Sequence, residues 1–204
     1  MEIKDYITIF DNALPVEAVS NFIKYINAQD KKFTPARINN DGYKSKDGEG
    51  VDFDIRRTWN LSLNPGSLSL TNVHWHNVLF FLFDKCFREY SKIHSDNKKT
   101  RARYNENFFE QITDIGVLKY FEGGFFKWHT DHCYNFPRTL SAIYLLNDDY
   151  EGGELLFRTS NGSDEFQIPM GCNKVIIWPS NFLFQHTVLP VKKGIRYSVV
   201  AWAL

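Results

Sequence analysis

The chain has 204 residues and a mass of 23.9 kDa, enough for one domain of upper-middle size whose core needs neither disulfides nor oligomerisation to close. Hydrophobic residues make up 43% and charged residues 24%, which excludes a disordered or fibrous chain. The 24 basic and 24 acidic residues cancel, so no global field draws nucleic acid or an anionic membrane, and neither partner is expected.

Tyr6–Phe10 alternates and predicts a short strand. Pro15 then suits a first helical turn, and Val19, Phe22, Ile23 and Ile26 fall at helical spacing through about Asn27. Residues 39–52 are polar and glycine-rich and predict a mobile loop. Asp54–Leu63 reads as a strand, ended by Asn64-Pro65-Gly66. Thr71–Ile93 reads as the longest helix, with Val73, Val78, Leu79, Leu82, Phe83, Phe87 and Tyr90 as its apolar stripe. A basic stretch follows, with Lys92, Lys98, Lys99, Arg101 and Arg103; such runs are usually solvated.

From about Ile112 short β-like runs alternate with turns: 114–121, 139–147, 154–158, 164–168, 174–178, 183–189 and 195–203. This spacing predicts a β-sandwich or jelly roll. The expected class is α+β, mainly β. One domain spans 1–204, with 1–110 as helical support and substrate loop and 111–204 as the jelly-roll core. Cys86, Cys133 and Cys172 are odd in number and far apart, which argues against a disulfide framework and fits a reducing compartment. The first residues have no basic segment leading into an apolar one. The longest apolar run, Val78 to Phe83, is far below a membrane span, so a cytoplasmic location is expected.

The segment Tyr120-Phe-Glu-Gly-Gly-Phe-Phe-Lys-Trp-His129-Thr-Asp131 carries the chemistry. In extended backbone, residues i and i+2 point to one side, so His129 and Asp131 can present an imidazole and a carboxylate to one point. His186 follows 55 residues after Asp131 in another β-like run. Two histidines and a carboxylate on one face of a metal leave the opposite positions open, the facial triad of non-heme Fe(II) oxygen chemistry. Alone, His-x-Asp is a weak signal, and a histidine in an apolar neighbourhood is more often a hydrogen-bonded core residue. Arg196 opens the run Arg-Tyr-Ser-Val-Val-Ala-Trp202 and shares a strand face with Ser198, Val200 and Trp202. If that face lines the interior, Arg196 is a buried cation that needs an anionic partner, which a dicarboxylate can supply through bidentate bonds. The alternative is a strand-end arginine reaching water.

The text LKYFEGGFFKWHTDHCYNFPRTLSAIYLLNDDYEGGELLF, followed by KVIIWPSNFLFQHTVLPVKKGIRYSVVAWAL, resembles the Fe(II)/2-oxoglutarate-dependent dioxygenases, on their prolyl-4-hydroxylase-like branch. The resemblance covers about 114–204. It implies a double-stranded β-helix core of cupin type, behind N-terminal supporting helices. It also implies Fe(II) bound by His129, Asp131 and His186, with 2-oxoglutarate as cosubstrate, dioxygen as oxidant and ascorbate as accessory reductant. By the same resemblance Arg196 holds the cosubstrate's distal carboxylate, Tyr120 hydrogen-bonds it, and Val188 and Trp202 wall the pocket. Arg138 falls where some relatives contact a substrate peptide. Related halogenases lack the carboxylate found here at Asp131, so hydroxylation is implied.

The chain departs from several prolyl hydroxylases at Leu145, where those have a second tyrosine, and from the collagen type in having Arg rather than Lys at 196. Trp202 stands where nucleobase demethylases of related design carry a second arginine. The resemblance implies peptidyl proline, in a peptide or protein partner, as substrate. Arg56, Arg57 and Trp59, beside the 39–52 loop, are candidate groove residues. A free amino acid or other small metabolite is the alternative substrate, and a non-catalytic jelly-roll binding module is the alternative class. Composition and motifs leave the oligomeric state open.

Overall fold

The computed structural model describes residues 2–38, 50–95, 108–132, 137–162 and 164–204. Most of the predicted 39–52 loop, the basic residues Lys98, Lys99, Arg101 and Arg103, and Cys133 lie outside them. A 3-10 turn at Ile3–Tyr6 leads into strand β1 (Thr8–Asp11), helix α1 (Val16–Ala28), β2 (Thr34–Pro35), β3 (Arg56–Arg57), β4 (Trp59–Ser62) and helix α2 (Leu70–Ser95). Then come β5 (Ile112–Tyr120), β6 (Phe125–His129), β7 (Leu140–Leu145), β8 (Glu151–Gly152), β9 (Leu155–Arg158) and β10 (Phe166–Gln167). The chain ends with β11 (Lys174–Pro179), β12 (Gln185–Val188), β13 (Val191–Lys193) and β14 (Arg196–Ala203). No helix among the described residues is long and apolar enough to cross a membrane.

The strands form a seven-stranded sheet in the order β1-β11-β7-β14-β5-β4-β2, a five-stranded sheet in the order β10-β9-β12-β6-β3, and the pair β13-β8, all antiparallel. This is the mainly β, helix-supported sandwich that the run spacing predicts. The large sheet is buried on both faces. On one face Val117, Tyr144 and Val199 pack against Phe22 of α1 and against Phe83 and Phe87 of α2. On the other, Leu118, Tyr120, Ile143 and Leu145 meet Phe157 and Val188 of the small sheet. Neighbouring residues of one strand therefore belong to different clusters, as the strand pleat requires. Phe83 is fully buried between helix and sheet. Phe83→Ala should lower stability by about 3–5 kcal/mol, since a large cavity opens in a packed core. Urea unfolding followed by circular dichroism reads this directly.

The predicted strand at 54–63 divides in two. Residues 53–55 form a turn, Arg56–Arg57 pairs with β6 in the small sheet, and Trp59–Ser62 pairs with β5 in the large one. Thr58 is the buried hinge between sheets, and its hydroxyl donates to the Lys119 carbonyl at 3.0 Å. The residues around Lys192, expected as a turn, form β13 instead. The expected strand at Tyr6–Phe10 begins later, at Thr8, because the 3-10 turn occupies the residues before it.

Candidate metal centre and its cavity

His129 ends β6, and His186 lies directly opposite it on the antiparallel neighbour β12. Their imidazole centroids are 4.1 Å apart. Asp131, two residues beyond the end of β6, turns its carboxylate between them. Oδ1 is 3.8 Å from His129 Nε2, and Oδ2 is 3.6 Å from His186 Nε2. One ligand atom from each residue lies within 4.8 Å of the other two, and no other such group of three occurs among the described residues. Metal–ligand bonds of about 2.1 Å put adjacent donors roughly 3 Å apart, so a small inward shift closes the set on one ion.

Backbone carbonyls set the histidine tautomers. His129 Nδ1 lies 2.8 Å from the Lys127 carbonyl and His186 Nδ1 lies 3.2 Å from the Phe184 carbonyl. Each Nδ1 can donate there, which leaves Nε2 with its lone pair toward Asp131. Burial, reinforced by His186, pushes the His129 pKa down to about 3, so its ring is neutral and ready to ligate. Burial opposes ionisation of Asp131. His186, His129, the Ser141 hydroxyl and Arg138 outweigh it and hold the carboxyl below its usual range. Ser141 is itself tied to Ser180 at 2.7 Å. Phe126 stacks on His129 at 3.5 Å, and Trp178 sets its edge on His186 at 5.0 Å, so apolar walls surround the ligands.

A cavity of about 1030 Å³ opens from these residues between the sheets. Tyr120, Val188 and Trp202 line it, and Arg196 lies just behind Tyr120, its guanidinium 5.1 Å from the ring centroid. Arg196 is fully buried. Nη1 donates to Ser198 Oγ at 3.0 Å, whereas Nε and Nη2 have no hydrogen-bond partner. The buried Tyr150 hydroxyl also lacks a partner within bonding distance, although Arg196 is close enough to act on its ionisation. Gly153, at φ +67°, permits this packing: a Cβ there would come 2.9 Å from Arg196 Cδ and 3.3 Å from Tyr150 Cε2. A buried cation with two unused donors fits an anion with two oxygens, such as a terminal carboxylate.

Arg138 and Arg56 also line the cavity, but Arg57 and Trp59 do not. The pleat explains this division of the expected groove residues. Arg57 turns outward onto Phe125, and Trp59 packs against Phe53 and Phe121, while Asn60 and Ser62 take the cavity face. Leu145 is buried beside Tyr120, whereas Tyr144 points to the helical side and donates to Asn173 Oδ1 at 2.8 Å. The two side chains thus point to opposite faces of β7, as alternation along the strand predicts. Sequence reasoning missed Ser141, Tyr150 and Trp178, because nothing in linear spacing marks residues that meet only across sheets.

Fold and site together define a double-stranded β-helix protein with a His-Asp-His group that could hold a metal ion and a buried arginine near it. A family profile described as the 2OG-Fe(II) oxygenase superfamily matches residues 115–204. That segment, a little under half of the chain, is similar to the superfamily. It is 39% identical over 84 residues to a PKHD-type hydroxylase of Synechococcus sp. (strain CC9902), covering 39% of this chain and 36% of that protein. It is 42% identical over 99 residues to a PKHD-type hydroxylase of Synechococcus sp. (strain JA-2-3B'a(2-13)), covering 45% and 42%. The chain thus spans less than half the length of these two curated relatives.

A prolyl hydroxylase from Trichoplax adhaerens, solved in complex with a hypoxia inducible factor oxygen degradation domain peptide fragment, aligns at TM-score 0.70 and 15% identity. That alignment covers 97% of this chain and 83% of the other. A Pseudomonas putida prolyl-4-hydroxylase aligns at TM-score 0.67 and 18% identity, covering 97% and 91%. At these identities the likeness establishes the shared fold. The superfamily takes Fe(II), 2-oxoglutarate and dioxygen, and the donors described above fit the first two.

Proposed function

We propose that this protein is an Fe(II)- and 2-oxoglutarate-dependent hydroxylase of an unactivated C–H bond, with a prolyl residue in a peptide or protein as substrate. One observation carries the reading: two imidazoles and a carboxylate converge near a buried arginine whose Nε and Nη2 have no hydrogen-bond partner. The prolyl part rests on the relatives, which are PKHD-type and prolyl 4-hydroxylases. The whole chain, 1–204, is taken as one domain, with the helices bracing the large sheet.

In this reading His129 and His186 offer Nε2 and Asp131 offers a carboxylate oxygen to the ion. Bound there with 2-oxoglutarate, Fe(II) supplies dioxygen activation coupled to decarboxylation of the cosubstrate to succinate. The chain does the positioning. The Lys127 and Phe184 carbonyls fix the two rings, Ser141 orients Asp131, and Arg196 anchors the distal carboxylate with Tyr120 beside it. Phe126, Trp178 and Val188 keep water from the reacting atoms.

The test supplies the protein with Fe(II), 2-oxoglutarate and air. Slow succinate release without substrate is expected, with acceleration by a proline-rich peptide that gains the mass of one oxygen atom. Absence of any succinate would favour the binding-module reading. Succinate without peptide oxidation would leave the oxygenase and remove the prolyl assignment.

A further inference from the structure

We infer that the substrate carries a carboxylate close to the carbon it offers for reaction, received between Arg56 and Arg138. The inference rests on the proposed hydroxylase reading and narrows its substrate class.

Both side chains flank the metal ligands. Arg56 lies 4.5 Å over the ring of Phe126, the same ring that stacks on His129. Its Nη1 donates to the Arg37 carbonyl at 3.0 Å, and its Nε is buried without a hydrogen-bond partner. Arg138 lies 3.9 Å over the Trp202 ring and donates from Nη1 to the Asp131 carbonyl at 3.2 Å. Its Nε is likewise buried without a partner. The nearest acid, Asp114, is 3.8 Å from Arg138 Nη2, and its side chain is 63% exposed, so water screens that pair.

Each guanidinium is therefore anchored through one nitrogen, with its Nε–H unused. An Nε–H together with a neighbouring N–H takes a carboxylate side-on by two charge-assisted bonds. The two cations also act on each other. Burial lowers the Arg56 pKa, Tyr120 and Asp131 oppose this, and the Arg138 charge adds to it. Two half-buried like charges that line one cavity, each with an idle Nε–H, favour an anion between them. The described lining agrees. Besides Asp131, which faces the ion, it holds one acid, Asp114, against Arg37, Arg56 and Arg138. Arg196 is excluded from this role, since the cosubstrate engages it. A substrate offering only amides could accept from the Nε–H groups but would leave the two positive charges without a counter-ion.

The carboxylate can be an acidic side chain next to the reacting residue, or the α-carboxylate of a free amino acid or chain end. Calorimetry on the full chain with Zn(II) and 2-oxoglutarate separates these. The probes are acetyl-Ala-Pro-Glu-Ala-amide against its Gln counterpart, and L-proline against L-prolinamide. One acid probe should bind at least about tenfold tighter than its neutral partner, as expected of charge-assisted bonds. That ratio should shrink with added salt and approach one in Arg56→Met and Arg138→Met. The preferred pair identifies the source of the carboxylate.

Should Arg138→Met fail to fold, Arg56→Met decides, because methionine keeps the stem packed on Phe126. Acid probes that bind no better than neutral ones, or not at all, overturn the inference, as does a preference that survives Arg56→Met. If Fe(II)-dependent succinate release persists in that case, the hydroxylase reading stands and only the carboxylate assignment falls.

Discussion

His186→Ala is expected to reduce affinity for a divalent ion by more than about 100-fold, the upper end for disturbing only the partner of a ligand, and to stop succinate release. The cause is geometric. His186 is 5% exposed, and its Nε2 sits 3.6 Å from Asp131. Without it the remaining imidazole and carboxylate, two residues apart on one segment, supply only two of the three donors that hold one face of an ion. Co(II) titration followed by visible absorption reads the loss independently of turnover. His186→Gln, which retains volume against Phe157 and Trp178, guards against mere unfolding. Near-normal Co(II) affinity in both variants would refute the ligand assignment.

Arg196→Met should produce effects of opposite sign in two states of the protein. In the free protein it removes a fully buried cation whose Nε and Nη2 lack partners, so the melting temperature should rise. In the presence of 2-oxoglutarate the variant should lose the thermal shift shown by the wild type, because the distal carboxylate has no cation to meet. Breaking a buried charged pair costs about 3–5 kcal/mol, or roughly two to three orders of magnitude in cosubstrate affinity. Differential scanning calorimetry with and without 2-oxoglutarate measures both arms. A variant that is less stable when free and still shifted by 2-oxoglutarate would defeat the role given to Arg196.

What the sequence determined by itself is what depends on short periods. The helical stripe of α2 and the alternation along β14 follow from spacing a few residues long, because a helix or strand must bury one face. His129 and Asp131 belong with these, since two residues of extended chain suffice to aim both at one point. That Arg196 shares a strand face with Ser198 and Val200 was legible too, whereas the burial of that face came from the fold.

The tertiary structure decided what depends on contacts between strands and sheets far apart in the chain. Thr58 hands the chain from the small sheet to the large one, so Arg56 enters the cavity while Arg57 and Trp59 turn away. His186 meets His129 because β12 pairs with β6 in one register, and a one-residue slip would aim it at the opposite face. Ser141 and Ser180 meet because β7 pairs with β11, and Arg56 and Arg138 line one cavity only after the sheets close. No local period encodes such meetings. They are fixed by strand order and register, which the whole core selects at once.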